Sequence, residues 1–208
     1  MSSNIILDEM ESDLLTEILN IGVGKAAGSL SRIVNQEIKL SIPSVKFRSI
    51  EGIAKYLGWD SPVCSISQVM RGPFEARSML LFPANNSMDI VQQMLGGHLS
   101  NELVAEMQEE ALNEIGNIVL NACIGAIATS LGEKFDVELP VFEQNIPIKL
   151  LSPYLSDEQG GGLLIRINLE LSKREISGHM VFLLRLSSQA NLDQCLKRML
   201  LNFNFKCA

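Results

Sequence analysis

The sequence predicts an α+β protein with pseudo-two-fold symmetry. Two halves, each a helix, a strand, a hairpin and a helix, share a mainly antiparallel sheet on which the long helices pack. Three observations predict this: a long helical pattern runs straight into an alternating strand pattern, that pair recurs at a fixed offset, and each copy is followed by a hairpin and a further helix. With 208 residues, 47% apolar and 20% charged, the chain has enough apolar material for a substantial core. The length fits one large domain or two of about 100 residues, and the repeat decides between them.

Asp8-x-x-Glu11 reads as a capping box opening a helix to about Val34, where Asn35 can take the left-handed conformation that stops it. In Ile38-Lys39-Leu40-Ser41-Ile42 apolar and polar residues alternate, the period of a half-buried strand, before Pro43. Pro62 to Met70, a turn at Arg71-Gly72-Pro73 and Glu75 to Phe82 form a hairpin, and a short helix near Ser87 to Leu95 ends at Gly96-Gly97. Ser100 or Asn101 caps a second long helix that runs to about Leu131 and stops at Gly132. Phe135, Val137 and Leu139 then alternate with Asp136 and Glu138 before Pro140. Leu163 to Leu171 alternates cleanly, a polar turn from Ser172 to Glu175 leads into Ile176 to Leu186, and a helix spans about Gln189 to Leu200. Gly160-Gly161-Gly162 lacks the Lys-Ser or Lys-Thr of a phosphate loop and reads as a flexible turn.

An offset of 97 residues, which carries Glu17 onto Glu114, lays LLTEILNIGVGKAAGSLSRIVNQEIKLSIP over ALNEIGNIVLNACIGAIATSLGEKFDVELP. Leu15, Glu17, Ile18, Asn20, Ile21, Gly28 and Pro43 meet Leu112, Glu114, Ile115, Asn117, Ile118, Gly125 and Pro140, and the helix stops Asn35 and Gly132 coincide. The chain therefore reads as a single domain of two pseudo-repeats, about 1–97 and 98–208, each too small to bury much surface alone.

Charge and composition remove several function classes. Seventeen Lys and Arg against 24 Asp and Glu give a net charge of −7, unsuited to binding nucleic acid. The four cysteines show no CxxC pair or zinc spacing and read as free, mostly buried thiols in a reducing cytoplasm. With only His98 and His179, a histidine-based triad or a multi-histidine metal site is hard to build. The acidic start lacks the basic and apolar regions of a signal peptide. Ile118 to Leu131, the most apolar stretch, is short for a membrane span and contains Asn121. A cytoplasmic protein without membrane insertion is expected.

At roughly 100° per residue, Asp13, Glu17, Asn20 and Gly24 share a helical stripe only about 60° wide. Glu110, Glu114, Asn117 and Asn121 occupy the same stripe on the second helix, and both helices are otherwise almost wholly apolar around it. One Glu-x2-Asn pair reads as the solvent edge of a buried helix, since it should arise by chance about once in 400 positions. Here it comes twice, with an acidic residue four before each Glu and a Pro 23 after each Asn, which favours function. The stripes hold no nucleophile paired with a base, no basic residue for a phosphate and too few carboxylates for a magnesium cage. An Asn amide can both accept from and donate to one water, fixing it for attack on a phosphoryl group, and a nearby Glu can hold a lysine on another protein. Such a site completes the active site of a partner that brings the phosphoryl group and the metal.

The pattern Asp or Ser, x3, Glu, x2, Asn, x22, Pro, present twice in the chain, resembles the CheC branch of the CheC/CheX/FliY phosphatases of chemotaxis. Asp13, Glu17, Asn20 and Pro43 fit it at every position; Glu110, Glu114, Asn117 and Pro140 fit at three of four; EIGNIV and NIGVGKAA look like the same family. The resemblance implies a CheC-like fold and hydrolysis of the aspartyl phosphate of a CheY-type response regulator. Asn20 and Asn117 would orient the attacking water, and Glu17 and Glu114 would pair with the receiver's active-site lysine. It implies no cofactor of the chain's own, with magnesium carried by the receiver, and a second partner in the deamidase CheD. A non-catalytic adaptor that binds a phospho-receiver or a CheD-like deamidase is the alternative. Two departures from the family pattern are Glu110, where Asp or Ser is preferred, and Leu19, where the second helix keeps Gly116. Each would add bulk beside its stripe. Gly22, Gly24 and Gly28 inside the first helix read either as close packing against the sheet or, for Gly24, as room for a partner; Trp59 reads as a hydrophobic cap rather than a partner anchor.

Overall fold

A computed structural model describes residues 7–58, 60–95, 100–155, 159–171 and 174–206. Trp59, His98 and Cys207 lie outside the described residues. Helix α1 spans Glu9–Val34; the Asp8 side chain accepts from the Glu11 N–H while Glu11 reaches back to the Asp8 N–H, and Asn35 closes the helix at φ 52°. Strand β1 is Ile38–Arg48, helix α2 Ile50–Leu57, the hairpin β2 Val63–Arg71 and β3 Glu75–Pro83, and helix α3 Ala84–Met94. The second half begins with α4, Asn101–Leu131, capped by the Ser100 hydroxyl and ended by Gly132 at φ 68°. It continues with β4 Asp136–Val137, β5 Val141–Asn145, α5 Pro147–Leu151, the hairpin β6 Gln159–Leu171 and β7 Arg174–Arg185, and α6 Leu186–Lys206. The same offset of 97 that relates α1 to α4 carries the start of α2 at Ile50 onto the start of α5 at Pro147.

All strand pairs are antiparallel, in the order β1-β6-β7-β3-β2-β4, with β5 also on β2. The two hairpins meet through β3 and β7 at the centre, and each half's outer strand pairs with the hairpin of the other half. Neither half can therefore complete its sheet alone. Alternation along the strands makes two cores. Ile66, Met70, Leu80, Phe82, Ile165 and Met180 face α1, α3, α4 and α6, whereas Met79, Leu81, Leu164, Val181 and Leu183 face α2 and α5.

Glycines mark the closest approaches. A Cβ on Gly22 would stand 2.8 Å from the Cys123 Cα, so α1 crosses α4 there; the close packing expected of this residue is against a helix, not the sheet. Gly116 lets α4 settle on β2, since a Cβ there would overlap the Ile66 side chain. Gly160-Gly161-Gly162 forms part of β6 rather than a turn, because at Gly161 (φ 154°) a Cβ would meet the Arg48 carbonyl of β1 at 2.6 Å.

Two expectations change. The stretch Phe135 to Leu139 yields only the two-residue β4, and Leu139 is 86% exposed rather than inward-facing. By length and composition α4 is apolar enough to cross a membrane, but Leu112, Ile115, Val119, Leu120, Cys123, Ile124 and Ile127 are buried in the first core, as in the central helix of a globular protein.

Candidate active site

The two stripes lie on the outward sides of α1 and α4. Asp13, Glu17 and Gly24 are exposed and Asn20 is half-buried; Glu110, Glu114 and Asn121 are exposed and Asn117 is half-buried. The expected alignment is thus present in both helices. Glu17 and Glu114 make no hydrogen bond or ion pair among the described residues, so each carboxylate is available to an incoming cation.

The two asparagines are held differently. Asn20 Nδ2 donates to the Thr16 and Ile42 carbonyls, both at 3.0 Å, and its Oδ1 accepts from the Ile42 N–H at 2.9 Å. Ile42 and Pro43 fall where the register of β1 against β6 breaks, between Ser41 and Ser44, and Asn20 takes up the Ile42 peptide groups there. The Ser12 hydroxyl donates to the Val45 carbonyl at 2.9 Å and the Ser31 hydroxyl accepts from the Ile38 N–H at 2.9 Å, so three polar side chains of α1 fasten β1 along its length. In this half the Asn-to-Pro spacing has a structural meaning, since it places the amide beside the irregular turn of an edge strand.

Asn117 makes no such bond to Leu139, its strand counterpart. Its Oδ1 accepts from Asn121 Nδ2 at 2.7 Å, and Asn121 Oδ1 accepts from Gln68 Nε2 at 3.0 Å. Asn117 Nδ2 has no partner among the described residues. Counting donors and acceptors separates the two sites: Asn20 has both N–H groups committed and one free lone pair, whereas Asn117 keeps both N–H groups and one lone pair. Only Asn117 can both donate to and accept from a single water molecule. Among the described residues no group of three or more His, Cys, Asp or Glu is placed to hold a metal ion. Pro43 is exposed and Pro140 half-buried between β4 and β5.

No protein-family model matches the chain. CheY-P phosphatase CheC of Bacillus subtilis is 28% identical over 126 residues, which is 59% of this chain and 60% of that protein, so the match spans less than two thirds of the relative's length. The crystal structure of Thermotoga maritima FliY superposes with a TM-score of 0.76 at 18% identity, covering 94% of this chain and 100% of that one. The CheX-CheY-BeF3-Mg+2 complex from Borrelia burgdorferi gives a TM-score of 0.50 at 16% identity, covering 79% of this chain and 96% of that one. The chain is thus similar in sequence to CheC and has the fold of FliY.

Within this CheC-like framework the two departures resolve simply. Leu19 is fully buried in the first core and does not reach the stripe, so it leaves the surface around Asn20 unchanged. Its counterpart Gly116 is set by the contact with Ile66. Glu110 is exposed one turn before Glu114 and makes no hydrogen bond or ion pair among the described residues. Sequence reasoning assigned no part to Gln68, although a signal existed: it stands at an inward position of β2 between Ile66 and Met70, where an apolar residue is expected.

Proposed function

We propose that this CheC-like chain hydrolyses the aspartyl phosphate of a phosphorylated CheY-type receiver in chemotaxis signalling. The observation that carries the reading is Asn117, an amide with free N–H groups and one free lone pair, one turn from the unpaired carboxylate of Glu114 on an exposed helix face. With the receiver docked, Glu114 pairs with a lysine beside the phosphoaspartate and Asn117 holds a water in line with the phosphorus. The water oxygen bonds to phosphorus as the bond to the aspartyl oxygen breaks, giving free aspartate and inorganic phosphate. Magnesium comes with the receiver. Ordering one water contributes about 10²- to 10⁴-fold, or roughly 3 to 5 kcal/mol. A cytoplasmic location fits such a partner, and Cys64, Cys123 and Cys195 are free and buried.

A second reading applies to the first stripe. Because both Asn20 donors are engaged, Glu17 and its neighbours can dock a receiver without positioning its water. That is adaptor behaviour, and a CheD-like deamidase is the other partner such a surface would hold. The deciding assay follows loss of phosphate from a magnesium-loaded phospho-receiver with catalytic amounts of the chain. The parent should accelerate it, and Asn20→Ala/Asn117→Ala should abolish the acceleration, with circular dichroism verifying the fold. Binding of the phospho-receiver without turnover would instead establish the adaptor reading for both stripes.

A further inference from the structure

Behind Asn117 lies a chain of three neutral amides that begins in the core. Gln68 is 1% exposed on β2, a strand paired on both sides, and its backbone carbonyl accepts from the Ser78 hydroxyl at 3.1 Å. Its Nε2 donates outward to Asn121, which donates in turn to Asn117. A buried glutamine is costly, and here its Oε1 has no hydrogen-bond partner, so the residue gives up satisfaction on one side while aiming its donor at the surface. The polarity of the chain follows from that burial. Reversing all three amides would leave both Gln68 N–H groups facing apolar neighbours without an acceptor, a larger loss than one bare carbonyl oxygen. The first half has no equivalent, because the residue four after Asn20 is Gly24, with open space around it.

We infer that Asn121 and Gln68 are positioning residues of the second site, which hold the Asn117 amide with its N–H groups turned to the docked receiver. The inference rests on the phosphatase reading and adds to it a defined orientation of the water-binding group. Asn121→Asp tests it, because an aspartate of nearly the same shape can only accept. It would accept from both Gln68 and Asn117 and so turn the Asn117 oxygen outward.

The rate of phosphate loss from the magnesium-loaded phospho-receiver is measured across receiver concentrations for the parent, Asn121→Asp, Asn121→Ala, Asn117→Ala and Asn117→Ala/Asn121→Asp. Misdirecting the amide should lower kcat by about 10- to 100-fold with KM unchanged. In the Asn117→Ala background Asn121→Asp should have no further effect, whereas a merely structural role for Asn121 would give independent, multiplying losses. Asn121 is exposed and Asn121→Asp still accepts from Gln68, so that variant should keep the parental circular dichroism and Tm, whereas Asn121→Ala leaves the buried Gln68 amide without its acceptor and should lower Tm. If the parent accelerates phosphate loss and Asn121→Asp matches it in kcat, or multiplies the loss in the double variant, the relay is wrong while the phosphatase reading survives. A parent without any acceleration overturns the phosphatase reading itself.

Discussion

In the first half of the molecule α1 is fastened to β1 by Ser12, Asn20 and Ser31, which bond to the backbone at Val45, Ile42 and Ile38. The offset of 97 carries these three onto Glu109, Asn117 and Ala128 in the second half, so only the asparagine is retained. Without the two serines the strand counterpart is not fastened to α4 by such bonds, and it keeps the pairing with the other half's hairpin that β1 makes with β6, through Met70–Val137 and Arg71–Asp136 and then along β5. Ile42 is 2% exposed, while Leu139 in the matching position is 86% exposed. One duplicated motif thus serves two ends. Where the strand is fastened the amide is bonded to it, and where the strand is not fastened the amide keeps its N–H groups unpaired among the described residues.

The largest expected effect lies at those two strand residues. Ile42→Ala should destabilise the protein by about 2 to 4 kcal/mol, because the side chain is enclosed by the first core. Leu139→Ala should change stability by less than about 0.5 kcal/mol. Urea unfolding of both variants decides it, and equal losses would mean that the second strand packs as the first does. The next effect separates stability from activity. Asn20→Ala strips the Ile42 peptide of its partners and should cost about 1 to 3 kcal/mol, whereas Asn117→Ala should cost less than about 0.5 kcal/mol while removing most of the phosphatase activity. Should Asn117→Ala prove the more destabilising of the two, the division of labour between the halves would be refuted.

Much of this contrast is legible in the sequence, and what is hidden has a physical reason. Local signals are legible: the Asp8-x-x-Glu11 box, the left-handed stop at Asn35, the helix end at Gly132, the hairpin turn at Gly72, and the recurrence of Glu17 and Asn20 as Glu114 and Asn117. Each depends on residues within a helical turn or on direct comparison of the two copies. The exchange of outer strands between halves was not legible, because β1 pairs with β6 across more than 100 positions and periodicity carries no partner information. Helices α2 and α5 escaped notice since a single turn or two gives too little pattern. Gly160-Gly161-Gly162 misled for a related reason: glycine serves turns and crowded strands alike, and only the neighbouring Arg48 carbonyl distinguishes them. The loss of Ser12 and Ser31 from the second copy is visible as Glu109 and Ala128, but its meaning depends on the bonds that the two serines make to β1.

The smallest effect tests the same pseudo-symmetry on the opposite face of the sheet, where α2 and α5 each lead a tyrosine onto a basic side chain. Tyr56 meets His179 edge-on with ring centroids 5.3 Å apart, and the Arg77 guanidinium lies 5.4 Å from the Tyr154 ring centroid. Only the first pair contains a histidine, the side chain whose ordinary value lies near neutrality. Burial first, and the Arg166 charge second, hold His179 below its ordinary value of 6.5; Lys46 and Arg48 line the same groove and Tyr56 closes it, with no carboxylate among the lining residues. A base with a lowered folded-state pKa takes up its proton more readily when unfolded. Its stability contribution is therefore intact above about pH 6.5 and is lost as the pH falls through that value towards the lowered one. Tm should accordingly drop less between about pH 7 and about pH 5.5 in His179→Gln than in the parent, while Arg77→Gln should keep the parental slope. Parallel Tm curves for His179→Gln and the parent would show that the groove admits the imidazolium without cost, and that the two tyrosine pairs are equivalent despite their different partners.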